Sequence, residues 1–186
     1  VFGLNIGGQS CNLSLTVGSG AFTCGTSSVS FTYNGSPVTY GTIVSSGKCW
    51  LDRNLGASQV ATSSTDVLAY GDLFQWGRGV DGHQIRSPMS GTITTLSSTD
   101  IPGNDKFIRI NSGFNDWRSP QNNNLWQPLY GTTNPCPTGF RIPNTSEFNT
   151  ERTSWSSNNS SGAFNSPLKL PLAGARRHVS LHLLKA

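Results

Sequence analysis

Apolar and polar residues alternate at the start of the chain. Phe2, Leu4 and Ile6 are separated by glycine and asparagine, and this period of two predicts a strand with one buried face. Two glycines follow and interrupt the strand. We therefore expect residues 1–8 to form a separate strand at the beginning of a strand-rich segment, residues 1–45.

A β-hairpin is predicted within that segment. Two runs rich in β-branched and aromatic residues, 29–33 and 38–44, flank the dipeptide Asn34-Gly35. Asn-Gly between alternating runs is a strong signal for a two-residue turn, because both of its residues accept a positive φ angle.

Two later segments are predicted to be helical. Residues 66–77 place several apolar side chains near one helical face, and Thr65 or Asp66 can cap the first turn. A second, short helix is predicted after Thr145 or Ser146, either of which can act as its cap. Strands at the start and few helices afterwards indicate an α+β protein with long loops.

Composition supports this class and narrows the function. The chain has 186 residues, of which only 12% are charged, and 21 glycines. The net charge of +4 comes from scattered basic residues, so the basic surface that nucleic-acid binding needs is not predicted. No apolar run is long enough to span a membrane, and the chain starts at Val1 rather than Met. We interpret it as a processed, exported protein.

Four cysteines lie in polar, glycine-rich segments without the CxxC pairs of zinc sites. Disulfides formed in an oxidising compartment are therefore expected. Cys11 and Cys24 can close a loop of about a dozen residues, a closure worth on the order of 3 kcal/mol, which would leave Cys49 and Cys136 as the second pair. Three pairings are open, and this one is a hypothesis.

Catalytic and metal-binding residues are not predicted. His83 and the i, i+4 pair His178 and His182 have no third ligand positioned by a motif. Four acidic residues could supply an acid and a base, but their spacing selects no pair; they are Asp52, Asp72, Asp81 and Glu147. Asp52 is instead expected to form a structural ion-pair network with Arg53 and Arg141. We predict that the protein is not an enzyme.

Four motifs occur in order between residues 38 and 175. They are residues 49–57 (CWLDRNLGA), 70–78 (YGDLFQWGR), 136–143 (CPTGFRIP) and 170–174 (LPLAG). Together they resemble the Fibrobacter succinogenes major paralogous domain family. The resemblance assigns residues 46–186 to such a domain, with Trp50, Asp52, Arg53, Trp76 and Arg141 as its motif core. It implies an exported bacterial domain with a C-type lectin-like fold, similar to sulfatase-modifying domains, and no established activity.

The chain departs from the family after residue 174. Family members continue into a closing strand that carries a cysteine, whereas here residues 176–186 (RRHVSLHLLKA) follow. Either the sequence is truncated or altered at this point, or the domain lacks its closing strands. If the strands are missing, we expect the open sheet edge to accept a strand from another copy. Residues 1–8, through Phe2, Leu4 and Ile6, are the candidate donor strand.

This reasoning predicts a subunit of an extracellular, pilus-like filament, because head-to-tail donation does not close on itself. The partners would be copies of the same chain. The alternative for the strand is that it pairs within its own domain.

The alternative function is a monomeric cell-surface carbohydrate-binding or adhesin domain. Trp117 and Trp126 lie in the polar region 79–135, where exposed rings could stack on sugars and nearby amides could serve hydroxyls or a calcium ion. The usual calcium signatures of lectins do not occur in their order, so no cofactor is predicted. The same two rings could instead anchor the long loops.

Overall fold

Short strands and helices joined by long loops make up this protein. Its structure, a computed structural model, describes residues 10–11, 21–109, 116–126 and 133–176. The elements in chain order are β1 (Ser10–Cys11), β2 (Val29–Tyr33), β3 (Ser36–Tyr40), β4 (Thr42–Ser45), β5 (Lys48–Leu51), a 3₁₀ turn (Val67–Ala69), β6 (Thr92–Ile93), β7 (Phe107–Ile108), α1 (Thr145–Thr153) and α2 (Ser160–Asn165). This loop-rich mixture of short strand pairs and few helices is compatible with the predicted α+β class.

The strands form three small sheets. The largest has the order β1-β5-β4 and is antiparallel throughout, with β5 between the other two strands. The second is the antiparallel β2–β3 hairpin, and the third is a short parallel pair of β6 and β7.

The predicted hairpin is confirmed. β2 and β3 pair from Val29 opposite Tyr40 to Tyr33 opposite Ser36, and Asn34 and Gly35 take φ angles of 50° and 79° in the turn, as a two-residue hairpin turn requires. The predicted second strand ends early, at Tyr40. Its remaining residues form β4, which pairs with β5 in the other sheet.

The predicted helix at residues 66–77 is wrong beyond its first turn. Asp66 does cap the 3₁₀ turn, since its side chain accepts a hydrogen bond from the Leu68 amide. The next backbone donors, however, bond to distant partners instead of to carbonyls one turn earlier. The Asp72 amide donates to Leu55 O at 2.8 Å and the Leu73 amide to Gln84 O at 2.8 Å.

The predicted helix after residue 144 is confirmed, with a different cap. Asn144 caps α1: its side chain accepts from the Glu147 amide, and the Glu147 carboxylate accepts from the Asn144 amide. Thr145 or Ser146 would have put Phe148 or Asn149 at the third helical position. Only Asn144 has a glutamate there, which completes the reciprocal capping box.

Three hydrophobic clusters hold the loops together. Cluster A contains residues of the hairpin and of one face of β5. Cluster B contains Trp50 on the opposite face of β5, and cluster C contains residues of β7 and of the loops around it. The buried members are Tyr33, Tyr40, Cys49, Leu51, Leu55 and Phe140 in cluster A, Trp50, Leu168 and Leu170 in cluster B, and Ile108, Trp117 and Leu125 in cluster C.

Some predictions lie outside the described residues. These are the strand at residues 1–8 with Phe2, Leu4 and Ile6, and the histidines at 178 and 182.

Gly71 is expected to tolerate alanine much less well than Gly35. Both have positive φ angles, 65° and 79°, so Gly71→Ala and Gly35→Ala share a left-handed backbone cost of about 1 kcal/mol. A Cβ at Gly71 would also lie 2.5 Å from Leu55 O, whereas a Cβ at Gly35 meets nothing within 4 Å. We expect Gly71→Ala to cost about 3 kcal/mol in total, measured by urea unfolding beside Gly35→Ala. Equal losses would show that the contact between residues 55 and 71 is not tight.

Candidate functional site

The candidate site is the side of β5 that receives β1. Lys48–Leu51 forms a central strand because its residues are buried from both sides of the sheet: Cys49 and Leu51 join cluster A, and Trp50 joins cluster B. Trp50 is fully buried, and its indole Nε1 donates to Ser45 O at 3.1 Å. These contacts fix the position of β5 from both faces of the sheet.

β1 pairs with β5 over two residues. Ser10 lies opposite Trp50 and Cys11 opposite Cys49 in an antiparallel register. The strand that precedes this contact in the sequence is the predicted donor strand. The structure therefore places Ser10 and Cys11 directly on the central strand of the largest sheet.

A disulfide connects the same strand to the turn that precedes the hairpin. Cys24 and Cys49 are bonded, with their Cα atoms 5.8 Å apart, inside the usual range for a disulfide. The predicted pairs Cys11–Cys24 and Cys49–Cys136 are therefore wrong. Spacing in the sequence favoured the short loop that a Cys11–Cys24 bond would close. In the structure, the turn at residues 24–26 lies beside β4 and β5, which brings Cys24 next to Cys49. Cys136 packs against cluster A, and burial raises the pKa of its thiol.

The predicted ion-pair network around Asp52 is divided into two separate pairs. Asp52 and Arg53 do interact, with Nε and Oδ1 2.8 Å apart, and the Arg53 guanidinium lies 4.6 Å from the Tyr40 ring centre. Arg141 instead bonds both carboxylate oxygens of Glu147, at 2.6 and 2.8 Å. These bonds, more than any other cause, lower the pKa of Glu147 to about 2. Both pairs join loops to neighbouring elements.

A fully buried arginine was not identified from the sequence. Arg78, the last residue of the second motif, has no exposed surface. Its guanidinium makes five hydrogen bonds, to the Asp81 carboxylate twice, to Gln75 Oε1, and to the carbonyl oxygens of Asn104 and Lys106. All five N–H donors of the group are thereby used. Arg78 fastens the loop after residue 75 to the segment that leads into β7.

His83 belongs to the same buried group. Its Nδ1 lies 2.5 Å from Asp81 Oδ1, and its Nε2 accepts a hydrogen bond from the Gln75 amide at 2.9 Å. This is the Asp-His geometry of a general base, but the nitrogen that would take a proton is occupied by a backbone donor. The arrangement is structural. The sequence signal was the short Asp81–His83 spacing, which alone does not reveal burial.

Burial lowers the pKa of His83, and the positive charges of Arg78 and Arg176 add to this effect against the opposing carboxylate of Asp81. Burial by itself would raise the pKa of Asp81, but hydrogen bonds from His83 and Arg78 outweigh it and lower the pKa. The neutral imidazole and the charged carboxylate are thus the forms that suit the fold.

Neither predicted glycan-contact residue presents a ring face to solvent. Trp117 is 4% exposed and donates from Nε1 to Trp76 O, while Trp126 is 9% exposed and donates to Arg78 O and Thr133 O. Trp76, a predicted motif-core residue, is half-buried and packs against cluster C. The carbohydrate-binding alternative assumed exposed rings, and these two rings are buried; their burial and hydrogen bonds fit the other interpretation, in which they anchor the long loops.

Within the described ranges, no three His, Cys, Asp or Glu side chains are grouped in a way that could hold a metal ion. None of the helices described here has the length and hydrophobicity needed to cross a bilayer. The disulfide is compatible with an extracellular protein.

Comparison with known proteins adds no further constraint. No family model, no curated protein and no solved structure matches the chain.

Mild acid is expected to destabilise the protein through His83. The pKa of His83 is lower in the folded state than its ordinary value near 6.5, so the unfolded chain binds the extra proton first. The stabilisation is complete above pH 6.5 and is lost as the pH falls below it, at up to about 1.4 kcal/mol per pH unit. Chemical unfolding between pH 7 and pH 5 measures this slope.

The matched control is His83→Gln, which does not titrate. It should be less stable at pH 7 but show a much smaller slope over the same pH range. An identical slope in both proteins would mean that His83 is not the titrating group.

Proposed function

We propose that this chain is the structural subunit of an extracellular bacterial filament, assembled when residues 1–8 of one copy add as a strand to the sheet of the next. The observation that carries the proposal is the register of β1 on β5. The pairing partners are other copies of the same chain, and neither an enzymatic activity nor a cofactor is required.

β1 lies near the end of β5. Ser10 is opposite Trp50, one residue before β5 ends at Leu51. We therefore propose that residues 1–8 find their pairing partner on another copy of the chain. An extended segment of eight residues spans roughly 26 Å, which is enough to reach a neighbouring subunit.

The apolar residues of this segment would be stabilised by pairing with another strand, because pairing would bury them. Phe2, Leu4 and Ile6 would form a continuous apolar face in a strand, and burying each such side chain is worth about 2 kcal/mol. The sheet edge of a second copy supplies both backbone partners and apolar cover. Donation in one direction gives an open chain of subunits instead of a closed dimer.

The disulfide supports the extracellular part of the proposal. The Cys24–Cys49 bond joins the strand that receives β1 to a preceding loop, and such bonds persist in oxidising compartments. In a filament subunit outside the cell, this bond would hold β5 in place whether or not a donated strand is bound.

We also propose the family and fold that the four motifs suggest: a Fibrobacter succinogenes major paralogous domain with a C-type lectin-like arrangement. Packing between motifs supports this proposal. Trp50 of the first motif meets Leu170 of the fourth in cluster B, and Leu51 meets Phe140 of the third in cluster A. Arg86, shortly after the second motif, donates to Ala173 O at 2.8 Å.

Replacing one apolar residue of the donor strand is expected to abolish filaments. In Leu4→Asp, a charge would enter the apolar face and oppose its burial, whereas Asn5→Asp puts the same charge on the opposite face of the strand. We expect electron microscopy to show filaments for the native chain and for Asn5→Asp, and separate particles for Leu4→Asp.

Separate particles from the native chain would overturn the filament proposal and favour the monomeric carbohydrate-binding or adhesin alternative. Filaments from all three proteins would mean that assembly does not use the apolar face of residues 1–8.

A further inference from the structure

β1 is very short for a strand that pairs with the central strand of a sheet. It consists of Ser10 and Cys11 alone, whereas strands in globular proteins usually have about three to ten residues. Pairing over two residues buries little surface and offers few backbone hydrogen bonds. A further attachment is therefore expected to hold β1 on β5.

The register of β1 places Cys11 on the cluster A face of the sheet. Cys11 is directly opposite Cys49 in the antiparallel pair. Residues that are directly opposite share one face of the sheet, with their Cβ atoms about 5 Å apart. Cys49 is a buried member of cluster A, so position 11 belongs to the same face.

A turn formed by residues 134–140 brings Cys136 to the same cluster. The Asn134 side chain donates to Phe140 O at 2.7 Å and accepts from the Cys136 amide at 3.2 Å. The Phe140 amide also donates to Pro137 O at 2.8 Å. Phe140 is buried in cluster A, and Cys136 packs against that cluster. The turn therefore fixes Cys136 on the face to which position 11 belongs.

We propose that Cys11 and Cys136 form a second disulfide, which ties β1 to the turn of residues 134–140. The bond between Cys24 and Cys49 uses two of the four cysteines, and the pairing left among them is Cys11 with Cys136. Both positions belong to the face that cluster A covers, and such proximity is the first requirement for a disulfide. The inference does not depend on strand donation, because the bond lies within one chain.

Formation of this bond needs an external oxidant. The two thiols lose two protons and two electrons as the S–S bond forms, and a disulfide oxidant of the oxidising compartment accepts them and becomes a dithiol. Burial raises the pKa of the Cys136 thiol, so little of the reactive thiolate exists in the folded chain. We therefore expect the bond to form during folding, before Cys136 is buried.

The second disulfide would anchor β1 to its own subunit. Together with the bond at Cys49, it would connect β5, the turn before the hairpin and the turn of residues 134–140 to one face of the sheet. In the proposed filament, this anchor would keep residue 11 on its own β5 while residues 1–8 pair with the next copy. Only this last consequence depends on the filament proposal.

The test is a disulfide map of the full chain exported into an oxidising bacterial periplasm. The protein is denatured, alkylated with iodoacetamide without reduction, and digested with trypsin and chymotrypsin, which cut between Cys11 and Cys24 after residues such as Phe22. We expect mass spectrometry to find a Cys11 peptide joined to a Cys136 peptide, and no alkylated cysteine. Alkylated Cys11 and Cys136, or a bond from either one to a different cysteine, would overturn the proposal.

Cys136→Ser and Cys11→Ser are the matched variants. Each should keep the Cys24–Cys49 bond and gain one alkylated cysteine, and β1 should lose protection from amide hydrogen exchange in Cys136→Ser, where only backbone pairing holds it. Unchanged exchange would contradict the proposed anchor. A covalent dimer of the native chain in non-reducing electrophoresis would contradict a bond within one chain. If a variant does not fold, the map of the native chain decides.

Discussion

The packing of β5 on both of its faces is the constraint on which the rest of the structure depends. Three successive residues of this strand are buried, Cys49 and Leu51 on one side and Trp50 on the other. Both neighbouring strands are aligned by their hydrogen bonds to it. A shift of one residue would exchange the two faces and put Trp50 where Leu51 belongs. The disulfide at Cys49 makes this register harder to change.

Away from β5, hydrogen bonds from buried polar side chains hold the loops in position, as regular secondary structure does in other proteins. Arg78 and His83 have no exposed surface, and an unpaired charge at such a depth would cost several kcal/mol. The cost is offset because the guanidinium uses all five donors and the imidazole both nitrogens. Since these bonds reach backbone groups of distant loops, they define loop positions.

Local signals in the sequence predicted local structure well. Asn34-Gly35 identified a turn whose residues need positive φ angles, and the candidate caps at 145 and 146 located the start of α1 to within two residues of its actual cap, Asn144. The helix predicted at 66–77 does not continue beyond its first turn, because its next backbone amides donate to carbonyl oxygens that are distant in the sequence. The disulfide pairing failed because distance along the chain does not encode distance in the fold. The burial of Arg78 could not be predicted, since residues 104 and 106, which accept its hydrogen bonds, belong to a segment without a motif.

Helical reconstruction, by electron cryomicroscopy, of the filaments proposed for the native chain tests the central claim most directly, namely that residues 1–8 pair with another subunit while β1 pairs with β5 of its own. The account predicts that the density for residues 1–8 runs antiparallel to a strand of the neighbouring subunit and connects, through β1, to its own β5. Density that folds residues 1–8 back onto their own subunit would contradict the account, as would a preparation of native chain that contains no filaments.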